Sequence, residues 1–285
     1  MPPKNLFKKY EESGTAPVLN LLLAFISSLL IISFFSFIYN ILLTLSPIVY
    51  LNVLLVVGLG YCIAYTVRYL CLAFKIRNQR ICFLATGIIS LIIIYIQWVL
   101  FIYIYLANEI NPLQDISIIL ELFISPDIIF NDIIQINSIG TWEIRSTIIN
   151  GPILWCVWIT EAVILILVPL RIYNLFEVIP FSEIDNKWYK KVKIDQEFEY
   201  ITLRNHFLES LYSNPSKALM NLSKPDPYRY SNVYIYYDKN RISFLIEIEN
   251  VSIDKNSKKD YIEVLAPSHI ESHHIKEIKE NFNLK

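Results

Sequence analysis

Long uncharged apolar segments alternate with short polar segments in the first two thirds of the chain. No charged residue occurs in residues 14–67 or in residues 81–108. A helix needs about 20 apolar residues to cross the roughly 30 Å hydrocarbon core, so the first segment is long enough for two crossings. Ser46-Pro47 divides it, because proline ends a helix. With the apolar run that begins at Gly151, the pattern predicts transmembrane helices at residues 16–45, 48–74, 81–106 and 151–173.

The segment between the third and fourth apolar helices, residues 107–150, is too apolar for a free loop. Its helical spacing predicts two short amphipathic helices on the outer surface. The second begins at Ser125-Pro126, with serine as the cap and proline in the first turn. Gly140-Thr141-Trp142 is typical of a turn. The expected apolar positions are Leu113, Ile116, Ile119, Leu120 and Phe123 in the first helix, and Ile129, Ile133 and Ile136 in the second.

The chain becomes polar from about residue 180, and about 100 residues are enough for a small domain. A helical pattern covers residues 198–222, with an interruption at Asn214-Pro215. Strand patterns cover residues 231–237, 242–249 and 261–265, and the turn Asp238-Lys239-Asn240 joins the first two. Ser268 and Glu271 form a capping-box pattern ahead of a last amphipathic helix. The expected fold class is an α-helical membrane protein with four transmembrane helices and a small cytoplasmic α+β domain built on a three-stranded antiparallel sheet.

Basic residues indicate the orientation of the helices. They precede the first helix, fill the second turnaround and follow the fourth helix, whereas residues 109–143 carry only acidic charges. The positive-inside rule places the basic segments in the cytoplasm. The predicted organisation is a cytoplasmic N-terminal tail at residues 1–15, a membrane domain at 16–173 and the cytoplasmic α+β domain at 180–285. The expected location is a cell inner membrane, with both termini in the cytoplasm.

Composition excludes several classes of function. Hydrophobic residues make up 54% of the chain, and its four cysteines lie in or beside apolar runs, where they are typical packing residues. The chain has no glycine after Gly151, so the C-terminal domain lacks the glycine loops that bind nucleotide phosphates. His269, His273 and His274 have no third ligand at metal-site spacing. We therefore expect no cofactor, no metal and no catalytic residues, and the lack of a basic stripe argues against nucleic acid.

Glu161 lies near the middle of the fourth apolar run and is the best candidate for function. A charge near the bilayer midplane costs several kcal/mol, so Glu161 must be protonated, paired or turned to a polar cavity. Counting from the outer helix ends places Gln97, Ser36 and the glycines Gly58 and Gly60 at the same depth, with Tyr61 close by. The candidate intramembrane polar site is therefore Glu161, Gln97, Ser36 and Tyr61, with the Gln97 amide as the partner of Glu161.

Two other interpretations of Glu161 stay open at this point. A polar pair between helices can simply hold the bundle together, at about 0.6 kcal/mol on average. Trp155 and Trp158 prefer the membrane interface, so the fourth span could also begin later and leave Glu161 only about one turn deep.

Lysines and a tryptophan follow the fourth helix closely, at Lys187, Trp188, Lys190 and Lys191. Such a segment is suited to contact with anionic lipid headgroups, at about 1 kcal/mol per basic residue. An ordinary solvated linker would have the same composition.

Gly140-Thr141-Trp142 leading into Trp155, Trp158 and Glu161 resembles an uncharacterised group of bacterial multi-pass inner-membrane proteins with a polar C-terminal domain. The resemblance covers mainly the third and fourth spans and implies location only. Our first hypothesis is a non-enzymatic protein whose cytoplasmic domain docks a partner or senses membrane state. The alternative is an oligomeric small-ion or proton pathway that uses Glu161 with Gln97. The expected partners are the lipid bilayer and a protein, either another protein or further copies of this chain.

Overall fold

The chain folds into two units. The computed structural model describes residues 7–45, 49–110, 117–140, 142–144 and 147–282. One unit is Gly14–Glu177, and the other combines Met1–Ser13 with Val178–Lys285. We call the first unit the helix bundle and the second the sheet domain.

Four long helices form the helix bundle: α1 (Val18–Leu45), α2 (Val49–Ala73), α3 (Gln79–Ile110) and α6 (Gly151–Asn174). Within the described residues these are the helices long and apolar enough to cross a membrane, as the sequence predicted. The start of α3 lies two residues before the predicted position because Asn78 caps it. The Asn78 side-chain oxygen accepts a hydrogen bond from the Ile81 backbone N–H at 3.0 Å.

The helices pack so that α1 and α6 each contact both α2 and α3. Apolar side chains from all four helices fill the interior of the helix bundle, among them Ile32, Val56, Ile93 and Leu165. The buried hydroxyl groups of Ser28 and Thr86 bond to their own helices, Ser28 to the Ala24 carbonyl at 2.7 Å and Thr86 to the Cys82 carbonyl at 2.9 Å. These bonds remove the cost of an unpaired buried donor.

The segment after α3 contains two short helices, α4 (Ser117–Ile124) and α5 (Pro126–Ile139). Ile129, Ile133 and Ile136 are buried as predicted. In α4 the buried residue is Leu122, whereas the expected Leu120 is 64% exposed. Ile119 packs inward as predicted, but the predicted Phe123 is 46% exposed and Ile118 packs inward, so the predicted face is displaced. Leu113 and Ile116 lie outside the described residues.

Helix α5 begins at the predicted Ser125-Pro126, but without the expected side-chain capping bond. The Ser125 side chain makes no capping bond to α5, and its backbone carbonyl instead accepts from the Ile128 N–H at 3.1 Å. Gly140 has a φ of +93°, which requires glycine. Of the other residues of the predicted turn, Thr141 lies outside the described residues and Trp142 begins a strand. The sequence missed the hairpin that follows, β1 (Trp142–Ile144) with β2 (Thr147–Ile149).

The sheet domain is built on an antiparallel sheet that has five strands in the described part of the chain. Its strands are β5 (Lys190–Lys193), β6 (Phe198–Glu199), β7 (Arg229–Tyr237), β8 (Phe244–Ile253) and β9 (Lys259–Ile270). Their order is β5-β7-β8-β9, and β6 also pairs with β7. A separate hairpin, β3 (Phe181–Ser182) with β4 (Lys187–Trp188), precedes them. The three predicted strands are present, and β5 and β6 are additional.

Three helices cover one face of this sheet: α7 (Arg204–Ser213), α8 (Pro215–Met220) and α9 (Ser272–Phe282). Their apolar side chains form one core with the sheet, including Leu211, Leu219, Ile246, Ile248 and Ile278. The predicted interruption at Asn214-Pro215 is correct, because Asn214 ends α7 and caps α8. The predicted capping box is wrong. Ser268 lies within β9, and its hydroxyl donates to the Ala266 carbonyl at 2.8 Å.

Residues 8–10 form a short antiparallel pair with β9. Lys9 lies opposite Ser268, the Tyr10 N–H donates to the Pro267 carbonyl at 2.8 Å, and the His269 N–H donates to the Lys8 carbonyl at 2.8 Å. The Tyr10 hydroxyl also accepts from the Phe181 N–H at 2.9 Å. The segment expected to be a separate tail is therefore part of the sheet domain. We call residues 8–10 the N-terminal clamp.

Candidate functional site

Polar side chains on one face of α1 form the centre of the candidate site. Ser36, Tyr39 and Asn40 are spaced three and four residues apart, which places them on the same side of a helix. Their exposed fractions are 0%, 3% and 0%. The apolar residue Ile32 continues this face one turn earlier, so the face is the one that α1 turns to the interior of the helix bundle.

Each of these three residues has a buried oxygen atom without a hydrogen-bond partner among the described residues. The atoms are Ser36 Oγ, Tyr39 Oη and Asn40 Oδ1. The Asn40 amide nitrogen is paired, since it donates to the Ser36 carbonyl at 2.9 Å and to the Gln97 carbonyl at 3.4 Å. The unpaired atoms of this polar face are therefore its side-chain oxygen atoms, and unpaired atoms are unusual for buried groups.

Glu161 on α6 is half-buried and lies within electrostatic range of the Tyr39 hydroxyl. Its helix neighbours Trp158 and Leu165 are buried, and these are three residues before and four residues after it. This spacing places Glu161 on the side of α6 that faces the interior. We call Ser36, Tyr39, Asn40 and Glu161 the polar cluster.

The structure places the other predicted site residues differently. Gln97 is 8% exposed, and its backbone carbonyl contributes the contact with Asn40. Within the described residues no hydrogen bond joins the Gln97 side chain to Glu161. Tyr61 is 44% exposed, and its ring stacks on Tyr65 at 6.3 Å. The structure therefore unites Ser36 with Tyr39 and Asn40, which the sequence analysis did not include.

Helix α6 begins at Gly151, the residue at which the fourth span was predicted to start. The ring of Trp158 packs on Trp98 of α3 at 4.9 Å and on Trp155 at 5.4 Å. Packing between α3 and α6 thus accounts for both tryptophans of α6. Glu161 lies ten residues inside this helix.

The candidate headgroup residues belong to the sheet domain. Lys187 and Lys190 are exposed, and Trp188 packs its ring on Phe181 at 5.0 Å. Lys191 forms an ion pair with Glu247 at 3.0 Å. The structure thus gives Lys191 a partner inside the sheet and leaves the ammonium groups of Lys187 and Lys190 at the surface.

The sheet face opposite the three helices carries a polar network that sequence patterns did not show. The Tyr234 hydroxyl donates to Glu249 Oε1 at 2.6 Å, and the Asn232 amide donates to the same oxygen at 3.1 Å. The Tyr236 hydroxyl donates to Glu247, and the Lys191 ammonium lies 4.2 Å from the Tyr234 ring centre. Burial, and then the bond to Glu249, raises the pKa of Tyr234. We call this surface the tyrosine face.

The three C-terminal histidines lie at the surface near the start of α9. The Nδ1 atom of His273 is 3.2 Å from Glu271, and its ring lies 3.8 Å from that of His274. Burial, and then the nearby Lys8 charge, lowers the pKa of His269. Across the described ranges, no group of three histidine, cysteine or acidic side chains is arranged to hold a metal ion.

Comparison of the chain with protein-family models, with curated proteins and with solved structures finds no match.

Proposed function

We propose that this chain is a non-enzymatic multi-pass inner-membrane protein whose sheet domain lies in the cytoplasm and docks a protein partner. The four apolar helices support the membrane location. The basic residues before α1, between α2 and α3 and after α6 support the cytoplasmic side for the sheet domain, by the positive-inside rule.

The N-terminal clamp is the observation that carries this proposal. It pairs with β9, and the chain then enters α1 at Val18. The last helix of the bundle, α6, ends at Asn174, and the chain returns to the sheet domain from Val178. Both ends of the membrane segment thus connect to one folded domain, and this supports a topology in which they lie on the same side of the membrane.

This arrangement also gives a route by which the helix bundle can act on the sheet domain. Helices α1 and α6 each contact α2 and α3, and each is covalently joined to the sheet domain by a short connection. Coupling between distant sites travels through rigid elements that share contacts. A rearrangement of the helix bundle would therefore reach the sheet through two connections rather than one.

The tyrosine face is the surface best suited to docking. Interfaces between proteins are enriched in tyrosine, which offers a large apolar ring and a hydroxyl group. Tyr234 is half-buried and is already fixed by its bond to Glu249, so it would lose little side-chain freedom on binding.

We expect a photo-reactive residue at Tyr261 to form a covalent adduct with a polypeptide in intact cells. Tyr261 is 55% exposed and lies opposite Val251, on the same side of the sheet as Glu247 and Glu249. The matched control is the same residue at Glu209, which is exposed on α7 on the opposite side. The measurement is the mass of the adducts after illumination.

A discrete adduct from position 261, absent from position 209, would support docking at the tyrosine face. Its mass also separates a different protein from a second copy of this chain. Equal labelling from both positions, or no polypeptide adduct from position 261, would contradict the proposal.

A further inference from the structure

We propose that the helix bundle contains a binding site for a small monovalent cation such as Na⁺. The ligands are the Glu161 carboxylate of α6 and the side-chain oxygen atoms of Ser36, Tyr39 and Asn40 of α1. This inference goes beyond docking by the sheet domain, and it stands on the side chains of the helix bundle alone.

Three unsatisfied oxygen atoms lie on residues of one face of α1. A buried polar group without a partner costs about 1 to 3 kcal/mol, and native structures contain few of them. In α1 three such oxygen atoms occur within little more than one turn, on residues that are at most 3% exposed. The buried hydroxyls of Ser28 and Thr86 bond to carbonyls of their own helices, whereas that of Ser36 does not, so a shared partner from outside the chain explains these three oxygen atoms best.

A carboxylate inside an apolar bundle needs a counter-charge, and the four long helices supply none at its level. Helix α1 has no charged residue, and Arg171 is the basic residue of α6. Arg171 lies ten positions from Glu161, about 15 Å along the helix. Arg68 lies near the C-terminal end of α2 and Arg80 near the N-terminal end of α3, and both are away from the depth of Gln97.

The chemistry of the proposed ligands favours a hard monovalent cation. All four are oxygen atoms, which suit hard cations, and the polar cluster contains no imidazole or thiol. One carboxylate balances one positive charge. A divalent ion would leave a net positive charge in a medium of low dielectric, where an uncompensated charge is strongly unfavourable.

A proton alone would satisfy the polar cluster less completely. Protonation of Glu161 removes its charge and provides one O–H donor, which serves one acceptor. Ser36, Tyr39 and Asn40 each keep an oxygen atom without a partner, and a cation takes several oxygen ligands at once. The number of unpaired oxygen atoms therefore favours a cation.

The test is Na⁺-dependent thermal stability of the full-length chain in lipid nanodiscs, in alkaline buffer with choline as the replacement cation. A ligand that binds only the folded state stabilises it by RT ln(1 + [L]/Kd), so the unfolding temperature rises with the ligand concentration. We expect Na⁺ to stabilise the wild type, and Glu161→Gln to abolish this response. Tyr39→Phe keeps the ring and removes one ligand. The Na⁺ concentration that gives the same rise in unfolding temperature should therefore be at least about tenfold higher than for the wild type.

Thr160→Val is the matched control, because Thr160 is exposed, adjacent to Glu161 and bonded to the Cys156 carbonyl of its own helix at 2.7 Å. Its Na⁺ response should equal that of the wild type. Identical unfolding of the wild type in Na⁺ and choline would overturn the proposal, and so would stabilisation that follows pH alone. If Glu161→Gln does not fold, an unchanged Na⁺ response in Tyr39→Phe is the contrary result.

Discussion

Replacing Asn250 with leucine is expected to destabilise the sheet domain by about 3 kcal/mol. Asn250 is 4% exposed and joins β8 to the loop before α7. Its side-chain oxygen accepts from the Ile201 N–H at 3.1 Å and from the Ser231 hydroxyl at 2.6 Å, and its nitrogen donates to the Ile201 carbonyl at 2.9 Å. Leucine has a similar volume but leaves the Ile201 N–H and carbonyl buried and unpaired, at about 1 to 3 kcal/mol for each group.

The measurement is hydrogen exchange of β7 and β8 in the full-length protein in nanodiscs, which reports the free energy of opening of the sheet. The control is Asn256→Leu, at an exposed position of the turn between β8 and β9. An exposed substitution of this kind should change stability by no more than about 0.5 kcal/mol. Equal exchange rates in the two variants would show that Asn250 does not hold the loop to the sheet.

Replacing Gly60 with valine is expected to destabilise the helix bundle by about 1 to 3 kcal/mol, the usual cost of overpacking. A Cβ atom at Gly60 would lie 2.9 Å from Val168 Cγ1, 3.1 Å from Val168 Cβ and 3.4 Å from Pro169 Cδ. Two of these three atoms belong to rigid parts of α6. The contact between α2 and α6 would therefore have to open, and the effect should appear as a lower unfolding temperature in nanodiscs.

The matched control for this substitution is Gly58→Val, since a Cβ atom there meets no other atom within 4 Å. Its unfolding temperature should stay close to that of the wild type. A smaller loss for Gly60 than for Gly58 would mean that α6 does not approach α2 at this point.

The sequence was sufficient for the long helices, because a bilayer-spanning helix has a length and an apolar content that can be counted. It was also sufficient for β7 and β8, where alternation and the Asp238 turn act together. The Asp238 carboxylate accepts from the Ile242 N–H at 2.7 Å and from the Ser243 N–H at 3.2 Å. These elements have local causes within a few residues of each other.

Elements with distant causes were not predictable in this way. Lys190–Lys193 becomes β5 only because β7 lies beside it, and its sequence alone resembles a solvated linker. The N-terminal clamp depends in the same way on β9, which is more than 250 positions away in the chain. A strand whose partner is remote has little signal in its own residues.

The residues of the candidate site were likewise predictable only in part. Glu161 was detectable as an acidic residue in an apolar run. Counting depths also placed Ser36 near it, but assigned the partner role to Gln97. The hydroxyl of Tyr39 and the amide oxygen of Asn40 were missed, although their three- and four-residue spacing from Ser36 was a usable signal. Only the three-dimensional arrangement shows which oxygen atoms lack partners.

The most direct test of the central claim is a disulfide between the N-terminal clamp and β9. Lys9 and Ser268 lie opposite each other between two backbone hydrogen bonds, as a non-hydrogen-bonded pair. Such pairs have Cα atoms about 4.5 Å apart, within the range that a disulfide spans. Membranes carrying Lys9→Cys with Ser268→Cys would be oxidised and compared with Lys9→Cys with Asn256→Cys, with the exposed native Cys156 changed to serine in both.

We expect the first pair to form an intramolecular disulfide in nearly every molecule and the second pair to stay reduced. This result would place both ends of the helix bundle in one domain on one side of the membrane. Reduced thiols at positions 9 and 268 that both react with an added maleimide, or that react from opposite sides of the membrane, would contradict the account.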